Sequence, residues 1–202
     1  MGKIDIICIL DMSGSMSSMI VKAREGFNKF LMEQKESGNE INFSLMLFDT
    51  NFYMPYKNVN IKEVEGLNEK TYYAGSCTSL YDALGTCIDN YLDHLGSTKI
   101  EDRSDKTLFV ILTDGEENSS TIYSKYIIKN MVTVMREELN AEFIYLGANQ
   151  DACFVAESMG MSRSNSFNYD STGNGISVAY SNISTATSYY ANNDVKENLF
   201  QK

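Results

Sequence analysis

The sequence predicts an α/β protein with a Rossmann-like, doubly wound sheet. About six strands are expected, mostly parallel with one antiparallel edge strand, with helices on both faces. Three observations predict this. Two apolar runs, IDIICIL at 4–10 and LFVIL at 108–112, read as strands buried on both faces. Segments of helical apolar spacing alternate with further strand-like runs, as βαβ crossovers require. The chain of 202 residues holds one sizeable domain and hardly two. Residues 1–192 read as that domain, and 193–202 as a tail expected to fray.

The elements follow in order. Residues 4–10 form the opening strand, broken only by Asp5. After a polar turn, Ile20, Ala23, Phe27, Phe30 and Leu31 mark one face of a helix from about 18 to 35. EINFSLMLFD (40–49) alternates and then turns apolar, giving a second strand. NFYMPYKNV (51–59) holds the single proline, Pro55, and reads as an edge strand. A polar loop from 71 leads into a helix whose buried face is Leu80, Leu84, Ile88, Tyr91 and Leu95. KTLFVILTDG (106–115) is the clearest buried strand. A helix over 122–139 aligns Ile128, Met131, Val132, Met135 and Leu139. AEFIYLGAN (141–149) is another strand, followed by a short helix near 151–159 and a short strand, SFNY, at 166–169. The last helix spans about 176–190.

Bulk properties exclude several functions. Hydrophobic residues make up 43% and charged residues 22%, ordinary for a globular protein. No apolar stretch approaches the ~20 residues that span a bilayer. MGKIDI lacks a signal-peptide core, and Ile6 stands where a myristoylation motif wants Ser or Thr; a cytoplasmic protein is expected. The formal net charge of -10 argues against a nucleic-acid partner, since no Lys/Arg cluster replaces phosphate counterions. Cys8, Cys77, Cys87 and Cys153 form no C-x-x-C pair, and His94 is the single histidine. A zinc site or a disulfide framework is therefore not expected.

The stretch DMSGSM (11–16) puts Asp11, Ser13 and Ser15 at alternate positions where the first strand should end. Ser and Asp there fit a helix N-cap. In a parallel sheet, however, every strand delivers its C-terminal end to one edge, where ligands bind. The strand at 108–113 ends in Thr113-Asp114-Gly115, and the loop AGSCTS delivers Thr78 just before a helix. Three distant loops thus carry Asp11, Ser13, Ser15, Thr78 and Asp114 toward one edge. Their hard oxygens suit Mg²⁺ or Mn²⁺, and N-capping alone does not call for an aspartate at the end of each of two buried strands.

These motifs resemble the von Willebrand factor type A domain with a metal-ion-dependent adhesion site. The family pattern is D-x-S-x-S after the first strand, a threonine in a glycine-containing loop before a helix, and T-D-G after the fourth strand. Here these read DMSGS, GSCTSLYDAL and LTDGEEN. LTDGEENSS and YLGANQDA also look like stretches of compact stand-alone members found in bacteria and phages. The resemblance implies that Ser13, Ser15 and Thr78 coordinate the metal directly, and Asp11 and Asp114 directly or through water. It further implies a non-enzymatic binding module: the metal keeps one open position, which a partner protein's Asp or Glu fills.

Other polar residues admit plainer roles. Glu116, Glu117 and Asn118 are either a helix-entry turn or support for the site. Asn149 and Asp151 lie on the same edge, Asp151 as a helix cap; Asp82 supports its loop or the helix dipole. Cys77 is not expected to be reactive without an activating cation, and His94 sits on a helix surface. Tyr72, Tyr73 and Tyr81 are candidates for an aromatic rim, Tyr81 equally for the core. Two rival functions are weighed. A Mg²⁺-dependent phosphohydrolase of haloacid-dehalogenase type wants an aspartate where Ser13 stands. A self-assembling protein would cap one copy's metal with an acid of another.

Overall fold

The computed structural model describes residues 2–200. Six strands form one sheet: β1 (Lys3–Asp11), β2 (Glu40–Phe48), β3 (Phe52–Asn60), β4 (Lys106–Thr113), β5 (Ala141–Gly147) and β6 (Ser166–Asn168). Their spatial order is β3-β2-β1-β4-β5-β6. All neighbours pair in parallel except β2 and β3, which are antiparallel. The expected edge strand with Pro55 is β3; the proline's missing N–H costs no ladder bond on an outer edge, and the β2–β3 register shifts twice.

Five helices cover the sheet: α1 (Ile20–Glu36), α2 (Leu80–Ser97), α3 (Lys125–Glu138), α4 (Ala152–Ser158) and α5 (Gly173–Asn192). Alternate residues of the strands feed two cores. Ile4, Ile6, Cys8 and Leu10 pack under α1 and α5 with Phe27, Phe30 and Ile183. Ile7 and Ile9 face α2, α3 and α4 with Leu84, Val132 and Ala156. Burial on both faces explains why β1 and β4 read as apolar runs.

The differences from expectation lie at element ends. A one-turn helix at Gly14–Ser18 precedes α1, which starts at Ile20 rather than 18. α3 starts at Lys125 rather than 122. The backbone N–H groups of Thr121, Ile122 and Tyr123 donate to Asp82 instead, and the Ser124 side chain caps the helix from outside. α5 begins earlier, at Gly173, where Thr172 accepts a bond from the Gly175 N–H.

The segment expected to fray is docked over its described part, residues 193–200. Leu199 is fully buried and its N–H donates to Asn165 Oδ1. Phe200 lies 5.9 Å from the Phe167 ring, centroid to centroid. An apolar Leu and Phe at the chain's end carried that information, against a polar surrounding sequence.

Candidate metal centre

The strand order reverses between β1 and β4, so their C-terminal ends open a crevice. β1 ends on Asp11 and β4 on Thr113, directly before Asp114. Both aspartates are buried, at 0% and 1% exposure. Asp11 folds back on its own loop: Oδ1 accepts from the Ser13 N–H at 2.7 Å, and Oδ2 from the Thr113 hydroxyl at 2.5 Å. The Ser13 and Ser15 hydroxyls lie 3.0 Å apart, and Ser15 Oγ donates to Asp114 Oδ1 at 2.6 Å. Thr78 closes the pocket. A Cβ placed on Gly115 would stand 3.1 Å from Thr78 Oγ1 and 3.4 Å from Ser15 Oγ. The structure thus brings together all five residues that the sequence singled out.

The loops are fixed by backbone bonds. Gly75 N–H donates to the Met12 carbonyl and Gly14 N–H to the Ser76 carbonyl, so the β1 loop and the loop before α2 hold each other. Thr78 is clamped to the loop after β4: its N–H donates to Asn118 Oδ1, and its carbonyl accepts from the N–H groups of Asn118 and Ser119. Glu117 accepts from the N–H groups of Tyr81, Ser119 and Ser120. Glu117, Asn118 and Asp82 therefore support the site loops. Asp151 caps α4 by accepting from Phe154 N–H, and Asn149 donates to the Asp114 carbonyl.

Tyr72 departs from the expected rim. It is fully buried, and its hydroxyl donates to the Asp11 carbonyl. Tyr73 is exposed and Tyr81 half-buried. Nothing local in TYYAG distinguishes the two adjacent tyrosines; the packing of the loop on the core does. Thr113 was also missed as a partner of Asp11, although it precedes Asp114 directly. His94 stays on α2, 14 residues beyond Leu80, or about 21 Å along the helix.

The electrostatics are those of an acid pocket that lacks a counter-charge. Burial pushes the Asp11 carboxyl up to about 6, against the opposing hydrogen bonds from Thr113 and Ser13. Burial likewise raises Asp114. Asp114 Oδ2 is buried with no hydrogen-bond partner among the described residues. Leaving such an acceptor unsatisfied costs about 1–3 kcal/mol, more when it is charged. No described group of three or more His, Cys, Asp or Glu side chains could hold a metal. The donor set is instead two carboxylates and three hydroxyls, all hard oxygens, which fits Mg²⁺ or Mn²⁺ better than a soft or borderline metal.

Together these features define a doubly wound α/β domain with an oxygen-lined pocket at its switch point. The sequence matches the von Willebrand factor type A domain over residues 5–180, and the chain belongs to that family. A search of the curated proteins finds no match. Among solved structures, the vWF domain of the type V pili tip protein Mfa5 from Porphyromonas gingivalis is similar, with a TM-score of 0.66 at 9% identity, covering 96% of this chain and 98% of that one. Proximal thread matrix protein 1 from the mussel byssus gives 0.61 at 16% identity. This chain is covered over 91% there and spans only 45% of the mussel protein. The ArnB paralog VWA2 from Sulfolobus acidocaldarius gives 0.55 at 16% identity, over 92% of this chain and 45% of that one. At such identities the likeness is one of fold.

Proposed function

We propose that this chain is a divalent-metal-dependent protein-binding module. Members of its family typically mediate protein interactions, and the finer reading rests on the pocket. Asp11, Ser13, Ser15, Thr78 and Asp114 would hold Mg²⁺ or Mn²⁺, and the bound cation would supply an electrophilic position for an Asp or Glu of a partner protein. The observation that carries this is Asp114 Oδ2, a buried carboxylate oxygen with no hydrogen-bond partner among the described residues, in a cluster that holds three hydroxyls. A cation would offset the cost of burying both acids.

The chain's own residues make a binder rather than a catalyst. Ser13 and Ser15 bond each other and Asp114, as hydroxyls committed to a metal would, and the single histidine is far down α2, so no imidazole base stands beside them. No described helix is long and apolar enough to cross a membrane. The four cysteines are free, which accords with a cytoplasmic setting.

The test has two arms. Protein captured from native lysate in Mg²⁺, lost on chelation and not bound by Asp114→Ala, is identified, and its acidic residues are replaced one at a time. One replacement should abolish binding. In parallel, phosphate esters and nucleotides are screened with Mg²⁺ and Mn²⁺. Turnover that disappears in Asp114→Ala, with no chelator-sensitive partner, would make the protein a phosphohydrolase instead.

A further inference from the structure

Asp49, the residue after β2, is a third acid at the edge where Asp11 and Asp114 stand. It is buried, at 7% exposure. Its Oδ2 accepts from the Ser76 N–H at 3.0 Å, its Oδ1 from the Asn51 N–H at 2.7 Å, and its carbonyl from the Ser79 N–H at 3.0 Å. Next door, Thr50 Oγ1 accepts from the Cys77 N–H at 3.1 Å. Residues 49–50 thus bind the N–H groups at 76, 77 and 79, on both sides of Thr78. Contact is close: a Cβ on Gly75 would come within 2.1 Å of Asp49 Oδ2. Glycine is what lets the loop lie against the carboxylate.

The geometry points to Asp49 as the positioning residue of this site, a reading that rests on the proposed metal function. Both of its carboxylate oxygens are committed to backbone N–H groups, so it is a clamp rather than a ligand. Through the loop it places the Thr78 hydroxyl beside Gly115, on the side that Ser15 Oγ also lines. The same loop is also held from the β1 side, through Gly75 and Ser76, and Thr78 itself from the β4 side, by Asn118 and Ser119. Clamps after three strands leave the hydroxyl little freedom. Removing a residue that supports a metal ligand typically costs about 10- to 100-fold in metal affinity.

The experiment uses Asp49→Ala, Asp49→Asn, Thr78→Ala and the double variant Asp49→Ala/Thr78→Ala. Mn²⁺ affinity is measured by calorimetry, and amide hydrogen exchange at 75–79 is followed in chelator. Asp49→Ala should weaken Mn²⁺ about 10-fold or more and, without metal, speed exchange at Ser76, whose N–H loses its carboxylate acceptor. Asp49→Asn keeps one acceptor oxygen and should fall between; it also serves if the alanine variant fails to fold. The double variant should bind no more weakly than the worse single, because both act through one hydroxyl. Fully additive losses, or unchanged affinity with unchanged exchange in both Asp49 variants, would overturn the assignment. Wild-type protein that binds no Mn²⁺ would sink the metal reading alone; the exchange measurement would still decide whether Asp49 holds the loop.

Discussion

Two pairs of buried carboxylates, one at each end of the sheet, are treated in opposite ways. At the amino end, Asp5 of β1 accepts from Asn42 at 2.9 Å, Ser104 at 2.5 Å and Tyr91 at 2.9 Å. Glu142 of β5 faces Arg136 at 3.5 Å and accepts from Asn165 at 3.3 Å. At the carboxyl end, Asp114 Oδ2 has no described partner, and Asp11 and Asp114 face hydroxyls with no cationic side chain bonded to them. Buried polar groups are normally satisfied. The amino-end pair therefore reads as architecture, while at the other end Asp114 keeps an acceptor oxygen that no described residue fills.

The contrast breaks most sharply on metal addition. Wild-type protein should gain about 2.7 kcal/mol at a hundredfold excess of Mg²⁺ or Mn²⁺ over the dissociation constant. Asp11→Ala and Asp114→Ala should lose this gain entirely while keeping the fold, as thermal melts with and without chelator would record. A variant that still melts higher in Mg²⁺ would place the metal elsewhere.

Asp5→Ala should behave in the reverse way. It strands the Asn42 and Ser104 donors and should cost about 2–3 kcal/mol, equally in Mg²⁺ and in chelator. Denaturant titration in both buffers checks this.

pH sharpens the same comparison. In chelated protein the Asp11 carboxyl is raised to about 6, above its unfolded value near 3.9. The folded state then binds more protons than the unfolded one between these values, so stability should fall as pH rises from about 4 to 6. Asp11→Asn should remove its share of that slope, leaving the part that Asp114, also raised by burial, contributes. Metal competes with the proton, so affinity should drop as pH falls below about 6.

The smallest effect is expected at Glu142→Gln. Burial raises this carboxyl, with Arg136 pulling it down, and Arg136 is part-exposed and also faces Glu197. Losing the charge should therefore shift stability by only about 1 kcal/mol, with no change in metal response. A loss of several kcal/mol would show a pair that matters more than its geometry suggests.

The sequence by itself determined the sheet and most of the candidate site. Apolar runs at 4–10, broken only by Asp5, and at 108–112 require burial on both faces, and a parallel sheet then brings their carboxyl ends to one edge. That logic alone gathers Asp11, Ser13, Ser15, Thr78 and Asp114. It applied equally to Asp49 at the end of β2, which was legible by the same rule and passed over because it lies in no D-x-S-x-S or T-D-G motif. Only the tertiary structure decided how the acids are used. Asp5 is saturated by residues 37, 86 and 99 positions away, and Tyr72 rather than Tyr73 turns inward to Asp11. Leu199 and Phe200 marked the last segment as apolar, but its pairing with Asn165 came only from the packed chain. Hydrophobic periodicity is local and survives in the sequence; hydrogen-bond satisfaction depends on which distant donors the fold brings within 3 Å, and only the packed chain settles that.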